Sequence, residues 1–338
     1  MAESTEHRRR RLWGAIAGAI VLVATATGIM ISIRGPVPAL RPVLRAGSPG
    51  HSPTSRAGGS KDSTTRAAPA LAGRIVFANR RPDGPYHLHV IDVDGMVETE
   101  LTSGPADERG PSWSPDGTLI AFSRQTRRAD ASVTAHIYVM NADGTGIRRV
   151  THGRRAEEDP SWSPDGIRIV FSALDPATGT ARLSVTKLDG TGATILSAPP
   201  RGCSDREPAW SPDGSKIAFV RKCGEDASSL YIMNADGTGI LLLTTFGRTP
   251  DWSPDGGKIA YTGEGDAGPA VFVINSDGTA KSQLTREFSA DPSWSPDGTR
   301  IAFTGSDLVE LNLFVISIDG TGMRRLTAGH SDSVAASW

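Results

Sequence analysis

The chain has 338 residues, 22% of them charged, a formal net charge of −1 and two cysteines. That length leaves room for one large domain with additional segments. The near-zero charge conceals a split: residues 1–72 carry 10 Lys and Arg against 3 Asp and Glu, and the rest carry 26 against 34, a net of −8. An acidic domain excludes nucleic acid as the expected partner, because phosphate contacts need clustered Lys and Arg.

Residues 1–11 are polar and end in Arg8-Arg9-Arg10-Arg11. Residues 12–33 form an uncharged apolar run of 22 residues from Leu12 to Ile33, long enough for a helix to span a bilayer. The Arg run predicts a cytoplasmic basic tail, so that whatever follows the anchor lies outside the cytoplasm. A cleaved signal peptide is the alternative: Ala24-Thr25-Ala26 has the small-x-small form of a cleavage site, although Ile29–Ile33 stays apolar beyond it. Either reading exports the remainder, as a single-pass membrane protein or a secreted one. Residues 34–72 are rich in Pro, Gly, Ser, Ala and Arg without periodicity, and read as a disordered linker.

From residue 73 onward the chain repeats itself. Trp-Ser-Pro-Asp-Gly occurs at Trp113, Trp162, Trp210, Trp252 and Trp294, and Ser337-Trp338 ends the chain. The Trp spacings are 49, 48, 42, 42 and 44 residues. One four-stranded unit per ~40–45 residues is the sequence sign of a β-propeller. After each Ser-Pro-Asp-Gly comes an apolar run such as Leu119–Phe122 or Ile301–Phe303, then a variable loop, then a second run such as His136–Met140. A second Asp-Gly turn follows, at Asp94, Asp143, Asp189, Asp236, Asp277 and Asp319, and a last short strand near Leu101, Val150, Leu196, Leu243, Leu284 and Leu326. Pro presets φ, Asp bonds its own backbone and Gly accepts a positive φ, so both turns read as structural rather than catalytic. The repeated Trp residues read as packing between blades.

The first unit lacks an innermost strand and the C-terminus has a spare one. We therefore expect an all-β, six-bladed propeller over residues 73–338, closed by pairing Ala335–Trp338 with Ile75–Phe77; closure removes open sheet edges. Cys203 and Cys223 flank the hairpin that turns at Pro212-Asp213-Gly214. With Ser211 opposite Ser215, opposed residues sum to 426, and so do the two cysteine numbers. A disulfide is the expectation in an oxidising compartment; two unrelated thiols are the alternative.

Both Asp-Gly-containing turns of every blade fall on one face and vary little. The opposite face carries loops of variable length, dense in charge, and loops on a rigid scaffold are where binding concentrates. The loops leading into the innermost strands rim the central channel. Their candidate binding residues are Asp107, Glu108, Arg109, Glu157, Glu158, Asp159, Asp205, Arg206, Glu207, Arg248, Asp291 and Asp332. A solvated, internally paired rim is the plain alternative, and carboxylates converging on Ca²⁺ a further one. No Gly-x-Ser-x-Gly elbow, His-Glu-x-x-His motif or phosphate-cradling loop occurs. His87 and His89 share a strand face without a third metal ligand nearby. Neither a cofactor nor a catalytic residue is expected. A metal-assisted hydrolase or lyase at the channel mouth stays open as an alternative, because a site assembled from distant blades leaves no local motif.

Pro-Ser-Trp-Ser-Pro-Asp-Gly-x-x-Ile-Ala-Phe at Pro111–Phe122 and Pro292–Phe303, with Ile-Tyr-Val-Met-Asn-Ala-Asp-Gly-Thr-Gly at Ile137–Gly146 and Val150-Thr151, resembles the WD-like repeats of the TolB-like six-bladed propellers. The resemblance covers residues 73–338. It implies a scaffold with a binding habit in the cell envelope, where such propellers engage a peptidoglycan-associated lipoprotein through the channel face. Similar repeats precede the hydrolase domain of prolyl-oligopeptidase-like peptidases and occur in a pectin-oligomer lyase family. The α/β domain that precedes the TolB propeller has no counterpart within residues 34–72. The expected function is a membrane-tethered, extracytoplasmic propeller presenting its variable-loop face to a protein, peptide or cell-wall glycan.

Overall fold

The computed structural model describes residues 73–338 except 95–96, 128–132, 154, 307–309 and 328–331. The expected tail (1–11), membrane anchor (12–33) and linker (34–72) lie outside the described residues. Among the described residues no helix is long and apolar enough to cross a membrane.

Six four-stranded antiparallel sheets make the domain. Blade 1 contains β1 (Arg74–Arg80), β2 (Tyr86–Asp92) and β3 (Glu98–Glu100). Blade 2 follows with β4 (Asp107–Trp113), β5 (Leu119–Arg127), β6 (Val133–Asn141) and β7 (Arg148–Arg149). In blade 3 the strands are β8 (Ala156–Trp162), β9 (Arg168–Leu174), β10 (Ala181–Lys187) and β11 (Thr194–Ile195). Blade 4 has β12 (Cys203–Trp210), β13 (Lys216–Cys223), β14 (Ser229–Asn234) and β15 (Leu241–Thr245). Blade 5 is built of β16 (Gly247–Trp252), β17 (Lys258–Gly265), β18 (Gly268–Asn275) and β19 (Ser282–Gln283). Blade 6 comprises β20 (Ser289–Trp294), β21 (Arg300–Ser306), β22 (Leu311–Ser317) and β23 (Arg324–Arg325), and β24 (Asp332–Ser337) is the last strand of the chain.

The C-terminal strand closes the ring. β24 is the innermost strand of blade 1, in the order β24-β1-β2-β3, with Val76 opposite Ser337 and Ala78 opposite Val334. Each inner strand touches the next, and β24 touches both β20 and β4. The seam is tied by polar contacts as well. Arg80 pairs with Asp332 at 2.7 Å, and the Trp113 N–H reaches Ser337 Oγ at 3.3 Å. The Trp338 N–H reaches Ser293 Oγ at 3.0 Å on the other side.

The core is divided among six apolar clusters, each bridging two neighbouring blades. One cluster joins Ala218 and Leu230 of blade 4 to Trp252 and Ile259 of blade 5. Another joins Ala302 and Leu313 of blade 6 to Ile75, Phe77 and Trp338 of blade 1. All six repeat tryptophans, from Trp113 to Trp338, are buried in this way. Burial of a large aromatic at every interface makes the ring cooperative.

The repeated turns are structural, as their chemistry predicts. Asp213 accepts the Ser211 hydroxyl at 2.6 Å and the Ser215 N–H at 3.0 Å, which hold its carboxyl down at about 2. At the second turn Gly237 has φ +88°, and a Cβ there would lie 2.3 Å from the Leu196 carbonyl oxygen of the preceding blade. Only glycine lets the blades close to this distance. The outermost strands stand where expected, ending one residue before Leu101, Val150, Leu196, Leu284 and Leu326; those N–H groups still bind the third strand, and the hydroxyl that follows serves it as well. The Leu88 N–H is bound by Thr102 Oγ1 at 2.8 Å, and Ile137, Leu183, Val271 and Leu313 are bound likewise by Thr151, Ser197, Thr285 and Thr327.

Candidate binding face at the channel mouth

Every inner strand carries a bulge at the same place. In β12, Arg206 faces Val220 and Ala209 faces Ala218, so Glu207 and Pro208 together oppose one residue. The bulge puts the residue three before each Trp at positive φ: Gly110 +56°, Asp159 +55°, Glu207 +53°, Thr249 +46°, Asp291 +51° and Ala335 +52°. A bulge re-aims a side chain and is a recurrent device at functional rims. Here it repeats around the ring and brings carboxylates from three blades, Asp159, Glu207 and Asp291, to equivalent positions.

These carboxylates sense one another. Burial raises the Asp159 carboxyl well above the usual range, and the charges of Glu158 and Glu207 raise it further. Asp291 is pushed up to about 6, first by burial and then by Glu207. Glu207 belongs to blade 4 and Asp291 to blade 6, so this repulsion reaches past blade 5. A hydrogen-bonded belt links the same residues. Ser172 Oγ donates to Asp159 Oδ2 at 2.9 Å and accepts the Glu207 N–H at 3.1 Å. Glu207 Oε2 accepts the Thr249 N–H at 2.7 Å. Thr249 and Thr262 share a hydroxyl contact at 2.7 Å, and Thr262 Oγ1 accepts the Asp291 N–H at 3.1 Å.

Next to this ring stand the residues four before each Trp: Arg109, Glu158, Arg206, Arg248, Ala290 and Val334. Arg206 lies 3.7 Å from Glu158, and Arg248 lies 3.6 Å from Glu207. Arg109 pairs with Asp107 at 3.0 Å and its guanidinium lies over the Tyr86 ring. The rim is therefore a charged arc from blade 2 to Asp291 of blade 6, and Ala290, Val334 and Ala335 stand at the closing seam.

Three of the twelve sequence candidates turn away from the rim. Glu108, Glu157 and Asp205 occupy the position five before Trp and are buried. Glu108 is held by Arg124 at 2.6 Å and by the Thr102 hydroxyl, Glu157 meets His136 Nδ1 at 2.8 Å, and Asp205 grips Arg221 at 2.6 and 2.8 Å. These pairs tie inner strands to their neighbours. Asp332 serves the seam with Arg80. The rim proper keeps Asp107, Arg109, Glu158, Asp159, Arg206, Glu207, Arg248 and Asp291.

Asp251 lies in the same inner wall and is not among the sequence candidates. It stands directly before Trp252, where the other units have Ser or Ala. It accepts the Trp294 N–H at 2.7 Å, and burial pushes it up to about 6. The repeat misfit is the signal that marks it. His89 pairs with Glu98 at 2.8 Å on blade 1. Among the described residues no group of three or more His, Cys, Asp and Glu side chains is arranged to hold a metal ion.

Cys203 and Cys223 stand opposite each other in β12 and β13 and are joined by a disulfide, with a Cα–Cα distance of 4.0 Å.

The family model of the TolB beta propeller domain matches residues 60–246 and 244–338. The chain belongs to this family. It is 50% identical over 46 residues to the Tol-Pal system protein TolB of Zymomonas mobilis, a match covering 14% of this chain and only 10% of that protein. The solved TolB of Acinetobacter baumannii superposes with a TM-score of 0.69 at 23% identity, over 79% of this chain and 67% of the other. An oligogalacturonate lyase in complex with manganese superposes with a TM-score of 0.54 at 18% identity, over 75% and 73%. At these identities the two structures share the fold.

Proposed function

We propose that this chain is a binding propeller of the cell envelope that presents its channel-mouth face to a protein, peptide or cell-wall glycan. The observation that carries the reading is the ring of bulged inner-strand residues. One face of blades 2 to 6 is locked by near-identical turns. The other carries Asp159, Glu207 and Asp291 on a rigid belt, flanked by Glu158, Arg206 and Arg248, and these residues differ from blade to blade. A symmetric scaffold with an asymmetric charged rim suits recognition of one partner in one orientation. Membership in the TolB propeller family supports an envelope role. The apolar run over residues 12–33 completes the proposal as a single-pass anchor with the propeller on the extracytoplasmic side.

Crosslinking capture in native membranes tests this. The intact protein is compared with Glu158→Lys, Arg206→Glu and Arg248→Glu combined. Glu108, Glu157 and Asp205 are left alone because their loss strands a buried partner. A partner captured by the parent and lost in the variant supports the proposal. Equal capture by both rejects the rim as the site.

A further inference from the structure

Blade 4 has an outer edge unlike its sisters. In the repeat register, the two residues before the Leu-Thr position are Thr99-Glu100, Arg148-Arg149, Thr194-Ile195, Leu241-Leu242, Ser282-Gln283 and Arg324-Arg325. Blade 4 alone places two leucines there. Leu241 is 53% and Leu242 45% exposed, and they adjoin Ile240 at 41% and Phe246 at 44%. The fold does not require apolar residues at these positions, since blades 2 and 6 build the same strand from arginine pairs.

The edge is also longer. β15 has five residues, while the outer strands of the other blades have two or three. The cause is local. In the other blades the Thr or Ser hydroxyl leaves the ladder to bind a third-strand N–H. In blade 4 Thr244 stays in the ladder opposite Leu230, Thr245 pairs opposite Ser229, and Leu243 bulges. β15 is the last strand of its sheet, so it offers a row of outward main-chain groups beside an apolar strip. Proteins usually blunt such edges with charge or brevity.

We propose that β15 is a docking edge for an extended segment of a protein partner, which adds to blade 4 as a fifth strand. Main-chain bonds would supply the affinity and the Ile240–Leu242 and Phe246 side chains the selectivity. The patch itself decides between occupants. Four half-exposed side chains offer on the order of 300 Å² of apolar surface, the scale of a functional patch. A stable dimer interface needs about 800 Å² from each partner, so the patch suits one strand better than a second copy of this chain. Acidic side chains stand at both ends: the loop with exposed Glu225 and Asp226 leads into Ser229 beside Thr245, and the Asp236 turn precedes Leu241. The segment is therefore apolar at its centre and basic at its ends.

The probe is an end-blocked synthetic peptide, Lys-Thr-Val-Ile-Val-Thr-Lys, titrated calorimetrically into the full chain. Saturable binding of one peptide per chain is expected. Replacing the central Ile of the peptide by Pro, which cannot join a ladder, is expected to weaken it at least about tenfold. Leu241→Arg with Leu242→Arg should do the same while melting like the parent, because sister blades carry arginine there. The rim variants Glu158→Lys and Arg206→Glu should bind the peptide normally, which separates this proposal from the channel-mouth reading. No saturable binding, equal binding of the Pro peptide, or full binding by the arginine variant overturns it. A dimer in sedimentation that the arginine variant dissolves would also overturn it, by assigning the edge to a second copy.

Discussion

Glu207 Oε2 accepts the Thr249 N–H at 2.7 Å, across the boundary between blades 4 and 5. At two other boundaries the equivalent N–H is bound by a second-strand hydroxyl of the preceding blade: Ser172 holds Glu207 and Thr262 holds Asp291; at the seam the Asp291 carboxyl takes the Ala335 N–H. Blade 4 has Val220 at that position, and the longer Glu207 side chain fills the role. One carboxylate thus closes the belt and charges the rim.

Glu207→Ala is predicted to leave the Thr249 N–H unpaired and to cost about 1–3 kcal/mol. Glu207→Gln keeps an acceptor oxygen and should cost less. It also removes the charge that raises Asp159 and Asp291, so both should titrate lower. Carboxyl NMR titration of the two variants checks this; unmoved Asp159 and Asp291 titrations in the Gln variant would contradict it.

The pH dependence follows from the same wall. Asp251 and Asp291 are raised from 3.8 to about 6, chiefly by burial. A raised carboxyl binds its proton better in the folded state. Its stabilisation is complete below about pH 4 and is lost as pH rises through about 6. The turn residues Asp213 and Asp297, held at about 2, act oppositely: their contribution is present above about pH 4 and lost as pH falls toward 2. Greatest stability is predicted near pH 4–5. Asp251→Asn should flatten the decline between pH 4 and 6.5. The Asp251 side chain is only half-buried, so solvent screening holds the gain at pH 8 to the order of 1–2 kcal/mol. Denaturant midpoints across pH test it, and an unchanged slope in the variant rejects the assignment.

Closure by β24 makes a sharper prediction. Deleting residues 332–338 removes the inner strand of blade 1, the Arg80–Asp332 pair and the Trp338 plug. Trp338→Ala alone should cost about 3–5 kcal/mol. Calorimetry is expected to show one broadened, much lower transition for the truncated chain. A parent-like melt would mean the ring is held without its seam.

Reduction of the Cys203–Cys223 bridge, which spans 20 residues, is predicted to cost about 2–4 kcal/mol. Melts with and without reductant measure it. Two free thiols in the unfolded, unreduced protein would show that the bridge does not form.

Much of this was legible in the sequence. The Trp-Ser-Pro-Asp-Gly period fixes six blades, and the missing first strand implies the C-terminal closure. The cysteine register illustrates how the arithmetic can succeed through compensation. The hairpin is one residue longer than a Ser211–Ser215 pairing, since the Ser211 N–H binds the Lys216 carbonyl, and the bulge at Glu207-Pro208 takes that residue back. The rim was less legible. Glu108, Glu157 and Asp205 resemble rim charges in a charged loop; the strand register sets Glu108 opposite Arg124 and Asp205 opposite Arg221, and a contact between blades sets Glu157 against His136. Asp251 and the Leu241-Leu242 edge emerge when equivalent positions of the six units are compared rather than read along the chain.

If the partner sits on the channel mouth, a photo-crosslinking amino acid at Glu158 will trap it in the native envelope, and one at Asp319, on the exposed second turn of blade 6 and away from the β15 edge, will not. A discrete adduct from position 158 and none from position 319 is expected. An adduct from 319 with none from 158 would contradict this and move the binding surface to the opposite face.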